Sequence, residues 1–243
     1  MNETLSSSSE LLSVRGLHAH YGRSHILQGI SFDVGRGAVV SLLGRNGSGR
    51  STTARAIMGL VPPTSGQVLL EGRDLAAARP YQIARAGLAF VPEEREIFGN
   101  LSVDENLQMG MQPARSGVPS WTVEQMFDYF PHLKERRNTR AVNLSGGEQQ
   151  MLTICRSLLG NPKLILIDEP TEGLAPKVVS VVGDAIRDIH RRGVSVVLIE
   201  QKLTFALKIS TAVCLLGHGH VVFQGTPDAL HAQPQLLKDW LAV

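Results

Sequence analysis

The sequence predicts an α/β fold: a mostly parallel sheet core, a small antiparallel β subdomain ahead of it, and an inserted α-helical subdomain. Three observations predict this. An apolar strand, Ala38 to Leu43, runs into a glycine-rich loop and then a helical stretch through Met58. A second apolar run, Leu164 to Asp168, ends in paired acids, and strand and helix alternate from there onward, as parallel pairing requires. Between the two, Glu93 to about Gly160 reads as mainly helical.

Met1 to Glu10 (MNETLSSSSE) is polar and Ser-rich and reads as a disordered tail, so residues 11–243 form one domain, with 11–92 and 161–243 as core and 93–160 as the helical subdomain. Leu11 to Leu43 reads as short strands with turns at Tyr21-Gly22 and Gly35-Arg36-Gly37. GLVPPTSG (Gly59 to Gly66) is a loop, and Gln67 to Leu70 is a strand followed by a turn at Glu71-Gly72-Arg73. A helix near Pro80 to Ala86 precedes a strand from Gly87 to Val91. In the helical segment, Val103, Leu107 and Met111 recur at helical spacing and read as a core stripe, and Gln112 to Ser120 is a Pro/Ser/Gly-rich loop before TVEQMFDYF. Val194 to Ile199 is a further strand, and Val213 to Gln224 a hairpin turning at Gly217-His218-Gly219.

Composition narrows the class. With 243 residues, 43% hydrophobic and 19% charged, the chain can bury one sizeable core. A formal charge of +2 and the lack of a basic patch point away from nucleic acid. Cys155 and Cys214 lie in apolar contexts and read as buried, reduced thiols, as a cytoplasmic protein would have. No apolar run approaches membrane-span length, so membrane association is expected only through partners. The histidines His18, His20, His25, His190, His218, His220 and His231 lack metal-ligand spacing with Cys or acids and read as solvated or edge-strand residues.

The chemistry sits in three motifs. GRNGSGRS, Gly44 to Ser51, is a phosphate loop: Gly44, Gly47 and Gly49 permit a tight wrap, and the backbone N–H groups of Asn46 to Thr52 would hold the α- and β-phosphates of a nucleotide. Ser51 offers a hydroxyl to Mg2+, and Thr52 a further donor. LSGGEQQ, Leu144 to Gln150, is a second anion cradle, with glycines that let backbone approach closely and a Ser hydroxyl as an added donor. LILIDEP ends in Asp168 and Glu169, acids that suit Mg2+ and the activation of water. Loop, cradle and acid pair, in this order and spacing, resemble the ATPase subunits of ABC transporters over nearly the whole chain. The resemblance implies a P-loop, RecA-like core that binds ATP and Mg2+.

That resemblance implies specific roles. Tyr21 would stack on adenine, Gly44, Arg45, Asn46, Gly47, Ser48, Gly49, Arg50, Ser51 and Thr52 would hold the phosphates, and Ser51, Glu93 and Asp168 would serve Mg2+, Asp168 directly or through water. Glu169 would polarise the attacking water, and Gln201 would touch the γ-phosphate. Ser145, Gly146, Gly147 and Glu148 would cap ATP held by a second ATPase subunit, identical or homologous, in a head-to-tail dimer whose interface includes EPTEGLAP. Two positions depart from the usual pattern. Arg50 stands where the family has Lys, which either weakens ATP binding or damages the loop, since a planar fork does not replace an ammonium neutrally. Gln201 stands where most members have His, and with Lys202 forms LIEQK. LIEQK and VPEEREIF are similar to versions found in ATPases that power import of branched-chain amino acids or of urea and related amides. Such a subunit would work at the cytoplasmic face of the plasma membrane, through two permease subunits docked near Arg95 to Leu101, where Ile97, Phe98 and Leu101 would be exposed, with an extracytoplasmic solute-binding protein. A subunit that closes on ATP but hydrolyses poorly is the rival reading, and Arg50 is its support. Action on DNA or ribosomes is disfavoured by the absence of coiled-coil insertions, a second ATPase domain or a basic patch.

Overall fold

A computed structural model describes residues 10–241. β1 (Glu10–Tyr21) and β2 (Ser24–Gly35) form a long antiparallel hairpin. β3 (Val39–Leu43) is buried at every position and runs through the glycine loop into α1 (Arg50–Ile57). β4 (Ser65–Leu70) and β5 (Arg73–Asp74) follow, then α2 (Pro80–Ala86) and β6 (Leu88–Val91). The helical stretch comprises α3 (Val103–Gly110), α4 (Val123–Tyr129), α5 (Pro131–Glu135) and α6 (Gly146–Leu158). The chain continues through β7 (Leu164–Asp168), α7 (Pro176–Arg191), β8 (Ser195–Ile199), α8 (Leu203–Ile209), β9 (Ala212–Gly217), β10 (His220–Gly225), α9 (Pro227–His231) and α10 (Pro234–Leu241).

Two sheets result. One is antiparallel, in the order β2-β1-β4-β5, and the other runs β10-β9-β3-β8-β7-β6, parallel except for the β9–β10 hairpin. Because β3, β8 and β7 are parallel neighbours, their C-terminal ends emerge along one edge, and side chains that follow those three strands converge there. β3, β8 and β7 are mainly apolar because both faces are covered, and the Ser41 hydroxyl inside β3 is paired with that of Ser210. Leu164 and Leu166 of β7 pack with Val197 and Ile199 of β8 against the antiparallel sheet, where Leu17, Leu27 and Phe32 lie. The alternate residues Ile165, Ile167, Val196 and Leu198 face Leu107, Phe127, Leu152 and Ile186 of the helices. The helices of residues 93–160 thus share a core with the parallel sheet.

Several local expectations change. The strands of the first hairpin are twelve residues each, not short, because Gly16 (φ 53°) and Gly29 (φ 89°) lie beside or within register shifts rather than ending strands. Of the expected tail, residues 1–9 lie outside the described residues, but Glu10 is the first residue of β1, paired with Gly35. Met111 leaves the expected core stripe: Val103 and Leu107 are fully buried, whereas Met111 is an extended C-cap and exposed. The stretch from Glu93 to Ser102 is irregular, not helical. Arg95 and Glu96 have positive φ, and their carbonyls accept from Thr153 Oγ1 (2.7 Å) and Arg156 Nη2 (2.6 Å). Fully buried Asn106 binds both the N–H and the carbonyl of Phe98, each at 3.0 Å. Side-chain bonds to backbone replace a helical ladder there. Cys155 and Cys214 are buried and unpaired with each other, as expected.

Candidate nucleotide site

The glycine loop takes its shape from three residues with positive φ, Gly44 (151°), Gly47 (81°) and Gly49 (103°). A Cβ on Gly44 would stand 2.5 Å from both the Leu216 carbonyl oxygen and Ser48 Oγ, so no larger residue fits. The loop opens into a cavity of about 410 Å3 lined by Asn46, Gly47, Gly49, Arg50, Ser51 and Thr52, with Glu93, Glu169, Glu172, Gln201 and Ile26 around it. Arg50 is the one cation among these lining residues, against three carboxylates.

Asp168 ends β7 fully buried. Its Oδ1 accepts from Ser51 Oγ at 3.1 Å, while Oδ2 has no partner among the described residues. Burial, only partly offset by the Ser51 bond, pushes its carboxyl up to about 6 from an ordinary 3.8, with Glu169 and Glu93 adding to the rise. Glu169 holds a left-handed backbone (φ 43°), anchored by its N–H donating to the Ile199 carbonyl at 2.9 Å. Burial raises its carboxyl, and the Arg50 guanidinium opposes that rise. The Arg50–Glu169 ion pair is 2.8 Å long and nearly dry, with the side chains 4% and 12% exposed, and the same Arg50 nitrogen reaches Asn46 Oδ1 at 3.2 Å. Loss of water, reinforced by Glu169 and Glu94, raises the Glu93 carboxyl. An oxygen-only set of Ser51, Asp168 and Glu93, with a buried carboxylate oxygen lacking a partner, suits a hard cation such as Mg2+.

The other sequence candidates are placed less uniformly. Tyr21 ends β1 and is 46% exposed, outside the cavity lining. Arg45 and Ser48 line a separate hollow with His218 and Trp240, and Arg45 is exposed. Ser145 to Glu148 do not line the loop cavity. They form the N-terminus of α6, where Ser145 and Glu148 make a capping box and the Ser145 hydroxyl donates to Glu148 Oε2 at 2.7 Å. The hydroxyl expected to be a free donor is therefore engaged within its own chain. Of the apolar residues expected to be exposed near Leu101, only Phe98 is; Ile97 and Leu101 are half-buried.

Two residues escaped the sequence reading. Glu172 joins the cavity wall. Glu200, 2% exposed after β8, accepts from Thr171 Oγ1 (2.9 Å) and from the N–H groups of Gln201 and Lys202 (3.0 Å each). Lys202, which the sequence left without explanation, donates to the Thr171 carbonyl at 2.8 Å. Glu200 and Lys202 together tie the segment after β8 to the one after Glu169. The signal was present as a lone acid directly after an apolar strand, a position that burial makes costly unless the acid is paired.

The family model for ABC transporters matches residues 27–172. The chain belongs to the ABC transporter family. Its fold agrees: a nucleotide-free ATP-binding cassette from an ABC transporter superposes with a TM-score of 0.81 at 25% identity, covering 94% of this chain and 98% of the other. Among curated ABC proteins, the chain is 37% identical to the high-affinity branched-chain amino acid transport ATP-binding protein BraG of Pseudomonas aeruginosa, across 95% of this chain and 99% of that one. It is 34% identical to the probable branched-chain amino acid transport ATP-binding protein LivF of Archaeoglobus fulgidus, across 88% and 91%. It is also 33% identical to the lipopolysaccharide export system ATP-binding protein LptB of Acidithiobacillus ferridurans, across 95% and 97%. ABC ATP-binding proteins bind ATP, generally with Mg2+, and work with a second ATPase and transmembrane subunits. Among the described residues of this one, no helix is long and apolar enough to cross a membrane.

Proposed function

We propose that this chain is the ATP-hydrolysing subunit of an ABC importer for branched-chain amino acids. The observation that carries the ATPase reading is the buried contact between Ser51 and Asp168 at the foot of the glycine loop, with Asp168 Oδ2 left without a partner. Gly44 to Thr52 wrap the polyphosphate with backbone N–H groups, Arg50 lends positive charge, and Tyr21 covers the base. Ser51, Asp168 and Glu93 hold Mg2+, which neutralises phosphate charge when bound. Glu169 then orients and polarises water, and Gln201 donates a hydrogen bond toward the terminal phosphate. Glu200 and Lys202 keep Glu169 and Gln201 in register by bracing their two segments against each other. Ser145 to Glu148 serve the site of a second subunit, which accords with their absence from this chain's own cavity. Permeases dock near Arg95 to Leu101, where Phe98 is exposed, and hold the subunit at the cytoplasmic face. The branched-chain solute rests on the likeness to BraG and LivF and on LIEQK; urea or a short amide is the close alternative. Deleting the gene and measuring uptake of radiolabelled leucine, isoleucine and valine, with urea alongside, tests this. Loss of the amino acids supports the proposal, and loss of urea uptake alone overturns it.

One observation favours a second reading. The buried Arg50–Glu169 pair holds the carboxylate in a hydrogen bond and engages the cation that should meet phosphate. A subunit so arranged closes on ATP but turns over slowly.

A further inference from the structure

The first hairpin brings three histidines together on its outer face. His18 Nδ1 lies 3.0 Å from His25 Nε2 across the strands. The ring of His20 stacks on that of His25, centroids 4.1 Å apart and 5° from parallel, and His20 Nδ1 meets Thr64 Oγ1 at 3.3 Å. The hairpin register pairs His20 with His25 and Tyr21 with Ser24, so His18 and His25 flank the turn that carries Tyr21. Two imidazole nitrogens bound to one tetrahedral Zn2+, each roughly 2.0–2.1 Å from it, stand about 3.3 Å apart. The pair in this hairpin already matches that separation to within a few tenths of an ångström, and because its rings meet nearly head-on, centroids 5.2 Å apart, a modest swing of each ring turns both lone pairs toward a shared ion. The stacked His20 ring, itself held by Thr64, fixes the ring plane of His25 in the manner of an outer-shell support.

We propose that His18 Nδ1 and His25 Nε2 chelate a divalent transition-metal ion, Zn2+ or Ni2+ by ligand type, in place of their mutual hydrogen bond. Each ring keeps its proton on the opposite nitrogen. Among the described residues no group of three His, Cys, Asp or Glu side chains is arranged to hold a metal, so water completes the shell. The ion would staple the hairpin across its turn and order the loop Tyr21 to Ser24. This site is separate from the Mg2+ acids, and its test does not depend on nucleotide chemistry.

The experiment is calorimetric titration of the untagged full-length chain with ZnCl2, then with NiCl2, in buffer containing excess Mg2+ to occupy the acids of the nucleotide site. One ion per chain should bind, and both His18→Gln and His25→Gln should weaken it by about tenfold or more. Amide hydrogen exchange across residues 20–26 should slow on adding Zn2+ to the wild type and stay unchanged in the double variant. His25 is exposed and His18 half-buried, so these variants should keep their melting temperature in chelator. Equal affinity in the wild type and the double variant would overturn the site. Binding without slowed exchange would overturn the staple.

Discussion

Replacing Asp168 by Asn should make the nucleotide-free, metal-free chain more stable. Asp168 is fully buried, its Oδ2 lacks a partner among the described residues, and its carboxyl is pushed up to about 6 from 3.8. A raised acid destabilises the fold when ionised: the penalty is absent below pH 3.8, grows as pH rises toward 6, and is complete above it. The full rise corresponds to ~3 kcal/mol at pH 8. Half of it surviving relaxation gives about 1–2 kcal/mol, or roughly 2–8 °C in Tm for a chain of this size. At pH 5 about half of that gain should remain. The assay is thermal unfolding of wild type and Asp168→Asn at pH 8 and pH 5 in chelator. A variant less stable than wild type, or a gain equal at both pH values, would refute burial of an ionised acid as the source. The same variant should lose Mg2+-dependent nucleotide affinity, the trade of stability against function expected at a metal-binding acid.

Other residues yield further outcomes. Arg50→Lys should retain nucleotide binding and raise turnover several-fold, because a compact ammonium on a flexible stem leaves Glu169 for phosphate more readily than the nearly dry guanidinium, whose Nη2 bonds both Asn46 and Glu169; steady-state kinetics reads this. Glu200→Ala leaves the Thr171 hydroxyl and two backbone N–H groups without their acceptor, and should cost ~2–4 kcal/mol in urea unfolding. Gly44→Ala forces a Cβ against the Leu216 carbonyl and Ser48 at a φ of 151°, and should abolish binding of a fluorescent ATP analogue.

The parallel core was legible because β3, β7 and β8 are mainly apolar runs of the kind a doubly covered sheet holds. The glycine loop and the acid pair were legible because their chemistry is local. What escaped depended on long-range partners. The length of the first hairpin's strands was not legible, because only pairing with the neighbouring strands shows that the chain runs through Gly16 and Gly29 with shifts of register. Lys202 acquires meaning from the Thr171 carbonyl, far away in sequence. The engagement of Arg50 by Glu169 also needed tertiary structure, since spacing alone does not say which anion a buried guanidinium meets. Phe98, Ile97 and Leu101 looked alike, but Ile97 packs on the shared helical core while Phe98 lies exposed under the Arg156 guanidinium.

The most direct test of the central claim is Mg2+-dependent ATP hydrolysis by the purified chain across a protein concentration series, beside Glu169→Gln and Arg50→Lys. The account predicts hydrolysis by the wild type or by Arg50→Lys that rises more than linearly with concentration, as paired sites require, and that Glu169→Gln abolishes. Hydrolysis that is linear in protein and indifferent to Glu169 would contradict it.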